Sequence, residues 1–178
     1  DERLILVLPG SRASELRRVG PILWKAAIAL AEQRTDARLM VVAAHSVREA
    51  VLTQTPASTL IVDEREKEDA FAAATVALAA SGTVTTEVAL QGAPLVIGYK
   101  LGWITWALAR AFLLKSKYVT LMNVAAGAEV APEFIQTRFT PARLMAAAAP
   151  LLDDPAARAA QIARQNHALA LMGRGERP

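Results

Sequence analysis

Along the first hundred residues, short runs of almost unbroken aliphatic residues alternate with longer stretches in which apolar positions recur at helical spacing. The runs cover residues 4–8, 38–43, 59–62 and 75–80, with further candidates at 94–98 and, more weakly, 118–121. A strand with one wet face alternates apolar with polar residues, whereas a strand that is apolar throughout is covered on both faces. The pattern therefore predicts parallel strands buried between helices. Residues 21–33 and 46–53 have the length and period of crossover helices. After Pro141 two more helices are expected, at 142–152 and 155–171, broken at Asp153-Asp154-Pro155. Strand and helix in alternation predict an α/β fold, a Rossmann-like, doubly wound and mainly parallel sheet. A single domain is expected over residues 1–178, with residues from about 142 onward as a helical C-terminal extension.

Composition narrows the chemistry. The chain has 178 residues, 53% of them hydrophobic, which is enough for a continuous core and excludes a disordered chain. It contains no cysteine, so disulfides, thiolate metal sites and thiol nucleophiles are excluded. Its two histidines, His45 and His167, are too far apart in sequence to suggest a metal centre, and none is expected. No stretch reaches the roughly 18 uncharged apolar residues needed to cross a bilayer, and the opening Asp-Glu-Arg lacks the basic start of a signal peptide. A cytoplasmic location is expected. The net charge of +3 is scattered along the chain, which argues against nucleic acid as a partner. It suits an anionic small ligand or an anionic membrane surface equally well.

In a doubly wound sheet, ligands bind beyond the carboxyl ends of the strands, so the loops that follow the strands are the candidate site. The first strand runs into Pro9-Gly10-Ser11-Arg12. This turn either offers Ser11, backbone amides and the Arg12 fork to a phosphate, or is a plain turn with a surface arginine. It matches neither a Walker loop nor GxGxxG, so NAD and P-loop hydrolysis lose support and no cofactor is expected. The fourth strand ends in Ser81-Gly82-Thr83, before a helix that reaches Leu90. That helix start is either an ordinary cap or a seat for a diphosphate at the positive end of the dipole. Glu87, one turn further on, either accepts hydrogen bonds from ribose hydroxyls or is simply solvated.

Three other segments stand out. Asn123, Gly127, Glu129, Pro132, Glu133 and Gln136 form a polar cluster in which Pro132 is expected to open a short helix at 133–136, the alternative being a capped loop. Residues 100–117 carry Trp103 and Trp106 among aliphatics, with Lys100, Arg110, Lys115 and Lys117 as cations. That composition suits either a helix at a membrane interface or a crossover helix packed on the sheet. The acidic run at 63–69 most simply starts a helix, and because it follows a strand its backbone could also edge a base pocket.

Three segments in order, LPGSR at 8–12, ASGTVTTEVALQGAPLVIGYK at 80–100 and YVTLMNVAAGAEVAPEFIQ at 118–136, resemble the lipid-A-disaccharide synthase family of GT-B glycosyltransferases. The resemblance implies the C-terminal, donor-binding half of a GT-B fold, holding the UDP of UDP-2,3-diacylglucosamine. In the family this donor is joined to 2,3-diacylglucosamine 1-phosphate. It further implies that Ser11, Arg12, Ser81, Gly82 and Thr83 face the diphosphate, that Glu87 faces the ribose, and that Asn123 and Gln136 face the donor end of the cleft. Arg12 and Asn123 become the expected catalytic residues. If residues 100–117 lie at a membrane interface and do not pack on the sheet, Trp103, Trp106, Arg110 and Lys115 are the residues that would meet the inner-membrane surface. The family's N-terminal acceptor domain, with the general base, is absent from this sequence and is the expected partner, so the chain alone is expected to be inactive. The family usually has proline where this sequence has Met122, which should loosen the Asn123 loop. Competing readings are another GT-B UDP-N-acetylglucosamine transferase or 2-epimerase, and a noncatalytic nucleotide-binding module.

Overall fold

The computed structural model describes residues 2–102 and 118–174. The strands are β1 (Arg3–Leu8), β2 (Ala37–Ala43), β3 (Leu60–Asp63), β4 (Val76–Ala80), β5 (Leu95–Tyr99) and β6 (Glu133–Ile135). The α-helices among the described residues are α1 (Ala13–Glu32), α2 (Arg48–Leu52), α3 (Lys67–Ala73), α4 (Thr83–Leu90), α5 (Leu121–Ala126), α6 (Pro141–Asp153) and α7 (Pro155–Arg174). The strands form one six-stranded sheet in the order β3-β2-β1-β4-β5-β6, and every pairing among them is parallel.

The unbroken apolar runs are explained by what covers each face. In β1, Ile5 and Val7 belong to one core cluster, and Leu6 and Leu8 to the other. In β4 the same alternation sends Val76, Leu78 and Ala80 one way and Ala77 and Ala79 the other. Successive side chains on a strand point to opposite faces, so a two-sided core requires apolar residues at every position. Helices α1 and α6 cover the first face through Leu23, Leu30, Leu144 and Leu151; α3, α4, α5 and α7 cover the second through Phe71, Val88, Met122 and Ala168.

The structure corrects several sequence expectations. Helix α1 begins at Ala13, two turns before the expected start at Pro21. Leu16 and Val19 are buried, and the Arg12 carbonyl accepts from the amides of Glu15 and Leu16, so the extra turns fill the core and close their own hydrogen bonds. Pro21 loses one helical bond, and burial of both flanking turns outweighs that loss. Residues 118–120 form no strand, and the sixth strand lies instead at Glu133–Ile135, where a helix was expected. The β5 edge decides this. Ile97, Gly98 and Tyr99 pair in register with Glu133, Phe134 and Ile135, and the Ile97 amide donates to the Pro132 carbonyl at 2.9 Å. Pro132 is used only through its acceptor, so its missing N–H costs the ladder nothing.

The last helix is anchored to the sheet. Gln161 and Gln165, 2% and 0% exposed, bond each other and the main chain of Ala93 and Leu95 at the entry to β5. Gly98 is required by close packing, because a Cβ there would lie 1.9 Å from the Phe139 ring.

Candidate functional site

Strand order sets where the site lies. From β1 the chain moves outward to β2 and β3, then returns to β4 on the other side of β1. The loops after β1 and β4 therefore diverge, and the crevice between them is the switch point at which doubly wound sheets bind ligands. A cleft of about 490 Å³ opens there. It is lined by Leu8 to Arg12, by Glu15 on α1, by Ala80 to Val84, by Glu87 on α4, by Glu64 and Lys67 from the acidic run, and by Tyr99. Its apolar wall includes Val42 and Phe71. Of the sequence-predicted residues, the fold brings Ser11, Arg12, Ser81, Gly82, Thr83 and Glu87 together here, although they come from segments some seventy residues apart.

The turn after β1 is tight. Gly10 has φ +108°, and a Cβ on it would lie 2.6 Å from the Glu15 carboxylate, so both conformation and packing demand glycine. Glu15 accepts from the Ser11 amide at 3.3 Å and from the Tyr99 hydroxyl at 3.5 Å. Burial, together with the nearby Glu15 charge, raises the Tyr99 hydroxyl above its ordinary pKa. Arg12 projects from this turn with a 79% exposed side chain, and its ion-pair partner among the described residues is Glu15, at 3.9 Å.

Across the cleft, α4 starts at Thr83 after Gly82, and no side chain caps it. The Ser81 amide is used by the Gly98 carbonyl, and the Thr85 amide and hydroxyl both return to the Gly82 carbonyl. The amides between them lie in the first turn, where a helix has no internal acceptor to offer. They form the positive end of the α4 dipole at the cleft wall. Further along α4, Glu87 accepts a 2.5 Å bond from Lys67 Nζ through Oε2. The bond to Glu87, opposed by burial and aided by the charges of Glu87, Glu64 and Glu68, holds the Lys67 ammonium above its ordinary pKa. The arrangement can seat an anion between Arg12 and the α4 start, while Glu87 accepts from hydroxyls beside it.

Asn123 and Gln136 do not line this cleft. Asn123 is fully buried, its oxygen accepting from the amides of Val130 and Ala131 and its NH₂ group donating to the Ala131 carbonyl. The amide is committed to closing its own loop. Gln136 stands just beyond β6 in a left-handed conformation, φ 54°, and its Oε1 accepts from the Leu101 amide at 2.9 Å. Met122 is fully buried as the second residue of α5, so packing holds the position where the family's proline would fix φ. The expected membrane-facing residues Trp103, Trp106, Arg110 and Lys115 lie outside the described residues. Among the described residues no helix is long and apolar enough to cross a membrane, and no group of three or more His, Asp or Glu side chains could hold a metal.

Sequence reasoning missed Lys67, Glu15 and Tyr99. Lys67 sits inside the acidic run at 63–69, and its basic charge among carboxylates is the available signal.

A family model described as lipid-A-disaccharide synthetase matches residues 1–177. The chain is 39% identical to the lipid-A-disaccharide synthase of Rhodospirillum centenum over 100% of its own length and 45% of that protein. It is 38% identical to that of Anaeromyxobacter dehalogenans strain 2CP-C over 95% and 45%. The chain thus spans about half the length of the curated relatives it matches. Among solved structures, the spinosyn rhamnosyltransferase SpnG complexed with thymidine diphosphate superposes with a TM-score of 0.61 at 18% identity, over 95% of this chain and 42% of that one.

Proposed function

The chain belongs to the lipid-A-disaccharide synthase family, and from that premise we propose that it is the half of such an enzyme that holds the nucleotide-sugar donor. One observation supports the reading: Arg12 and the uncapped start of α4 line the same switch-point cleft, with Glu87 beside them. A nucleoside diphosphate has the matching parts. Its phosphates would take the Arg12 fork, the Ser11 turn and the amides at Gly82 and Thr83; its ribose hydroxyls would donate to Glu87; and its base would lie against the apolar wall at Val42 and Phe71. The thymidine diphosphate in SpnG is a ligand of the same chemical class in a protein of the same fold.

In the reaction proposed for the whole enzyme, a hydroxyl oxygen of 2,3-diacylglucosamine 1-phosphate bonds to the anomeric carbon of UDP-2,3-diacylglucosamine. The bond from that carbon to the diphosphate oxygen breaks, and UDP leaves with the electron pair. Arg12 and the α4 dipole would stabilise this developing charge, and no side chain of this half need be a nucleophile. The proton of the attacking hydroxyl would go to a base on the acceptor-binding half, so this chain alone is expected to bind the donor without turning it over. Asn123 and Gln136 would serve the site by holding the loops beside it. Acting at the inner-membrane surface from the cytoplasmic side fits the acylated substrates.

The test is calorimetric titration of the chain with UDP, using ADP and GDP as controls. UDP should bind selectively, and Glu87→Gln should weaken it about tenfold, through loss of a hydrogen bond to a charged acceptor. A folded chain that binds no UDP, or binds ADP equally well, overturns the reading.

A further inference from the structure

Glu87 has one carboxylate oxygen already committed within the protein. Oε2 takes the 2.5 Å bond from Lys67 Nζ, whereas Oε1 has no hydrogen-bond partner among the described residues. The pair joins two helices that both line the cleft: Lys67 is the first residue of α3, and Glu87 lies in the second turn of α4. Both side chains line the cleft and are only partly exposed, at 36% and 41%. Lys67 also sits near the charges of Glu64 and Glu68, yet its one side-chain hydrogen bond among the described residues goes to Glu87. Glu64 is held separately, its Oε2 accepting from the His45 amide at 2.9 Å.

A carboxylate on a flexible side chain can turn either oxygen toward a ligand and can accept bonds from several directions. Fixing one oxygen removes that freedom before the ligand arrives, so less ordering remains to be done on binding. We propose that Lys67 is a positioning residue that pins Glu87 Oε2 and thereby makes Oε1 the acceptor that selects a ribose donor over a deoxyribose one. The proposal rests on the reading of the cleft as a nucleotide-sugar site. It adds to that reading the residue that sets sugar selectivity within the nucleotide. Lys67 touches neither the diphosphate nor the reacting carbon; it acts through Glu87.

The experiment titrates the chain with UDP, 2′-deoxy-UDP and 3′-deoxy-UDP, and repeats the series for Lys67→Met, Lys67→Arg and Lys67→Met in a Glu87→Gln background. The wild type should prefer UDP to at least one deoxy analogue by about tenfold, the loss expected when a hydroxyl bond to a charged group is removed. Lys67→Met should weaken UDP severalfold while leaving the deoxy analogue nearly unchanged, so the preference shrinks to about twofold or less. Lys67→Arg, which can still donate to Oε2, should restore most of it. In the Glu87→Gln background, Lys67→Met should add little. A residue that merely supported the fold would weaken all three ligands equally and leave their ratios unchanged, and that result overturns the proposal. So does a Lys67→Met variant with the full wild-type preference. If Lys67→Met does not fold, the same comparison is made on Lys67→Gln, which keeps a neutral donor and should retain only part of the preference. Failure of the wild type to bind UDP at all overturns both this proposal and the reading beneath it, whereas loss of the proposal alone leaves UDP binding intact.

Discussion

At the amino end of the sheet, Asp153 receives two bonds from the Arg34 guanidinium, at 2.8 and 2.6 Å, and another from Arg3 at 2.7 Å. Arg3 in turn pairs with Asp36 at 2.9 Å. At the carboxyl end, among the described residues, Arg12 has a single ion-pair partner, 3.9 Å away, and one Glu87 oxygen has no hydrogen-bond partner. Both ends carry mixed charge, but the first uses its hydrogen-bonding capacity on itself and the second leaves capacity spare. A saturated network ties β1, the β2 entry and α6 together; an unsaturated one can bind something. Counting charges along the sequence would not have told these two ends apart.

The largest expected effect belongs to Asn123, a polar side chain that, like the amino-end network, is committed to partners within the protein. Asn123→Ala would leave two amides and a carbonyl buried without partners. It should cost about 3 kcal/mol, read as a lowered denaturation midpoint. A shift below about 1 kcal/mol would mean that the loop closes without this amide. Arg12→Ala should do the opposite. In a complete enzyme, turnover should fall about a hundredfold, the scale of losing one donor to a developing anion, with little change in melting temperature. Near-normal turnover would remove Arg12 from the leaving-group role.

The smallest effect belongs to the saturated end. The bonds from Arg34, with the Arg34 and Arg3 charges, outweigh burial and hold the Asp153 carboxyl below its ordinary pKa. Such a group contributes stability above the unfolded-state pKa and loses it as pH falls through the lowered folded value. Because Asp153 is about half exposed, at 49%, screening limits the contribution to no more than about 1 kcal/mol. Asp153→Asn should therefore lower the melting temperature by a few degrees at neutral pH. The gap to the wild type should close below about pH 4, as the wild-type carboxyl protonates. A gap that persists unchanged into strong acid would show that the bonds, and not the charge, carry the effect.

Most of the sheet was legible because burial on both faces leaves a simple mark. Five strands fall where the aliphatic runs predict them, within a residue or so at either end. The sixth was not legible, since the three residues of β6 are Glu133, Phe134 and Ile135, and nothing local distinguishes them from the start of a helix after proline. Their strand state comes from the free edge of β5, which only the folded sheet supplies. The cleft was partly legible for a similar reason. Glycine and small hydroxyl residues after a strand have a local meaning, so the turns at Ser11 and Ser81 could be found from sequence. Lys67 and Glu87 are twenty residues apart on different helices, and no local pattern joins them.

Asn123 shows the converse limit. Its residue type and its place in a family motif suggested contact with a ligand, while the structure uses the same amide groups to satisfy buried main chain. The choice is made by burial, because a polar group sealed from water must find its partners in the protein. The sequence by itself determined which segments are strands with two covered faces and which turns can approach an anion, because those properties depend on neighbours along the chain. The tertiary structure alone decided the β6 edge, the Lys67–Glu87 pair and the duty of Asn123, because each depends on which surface arrives opposite.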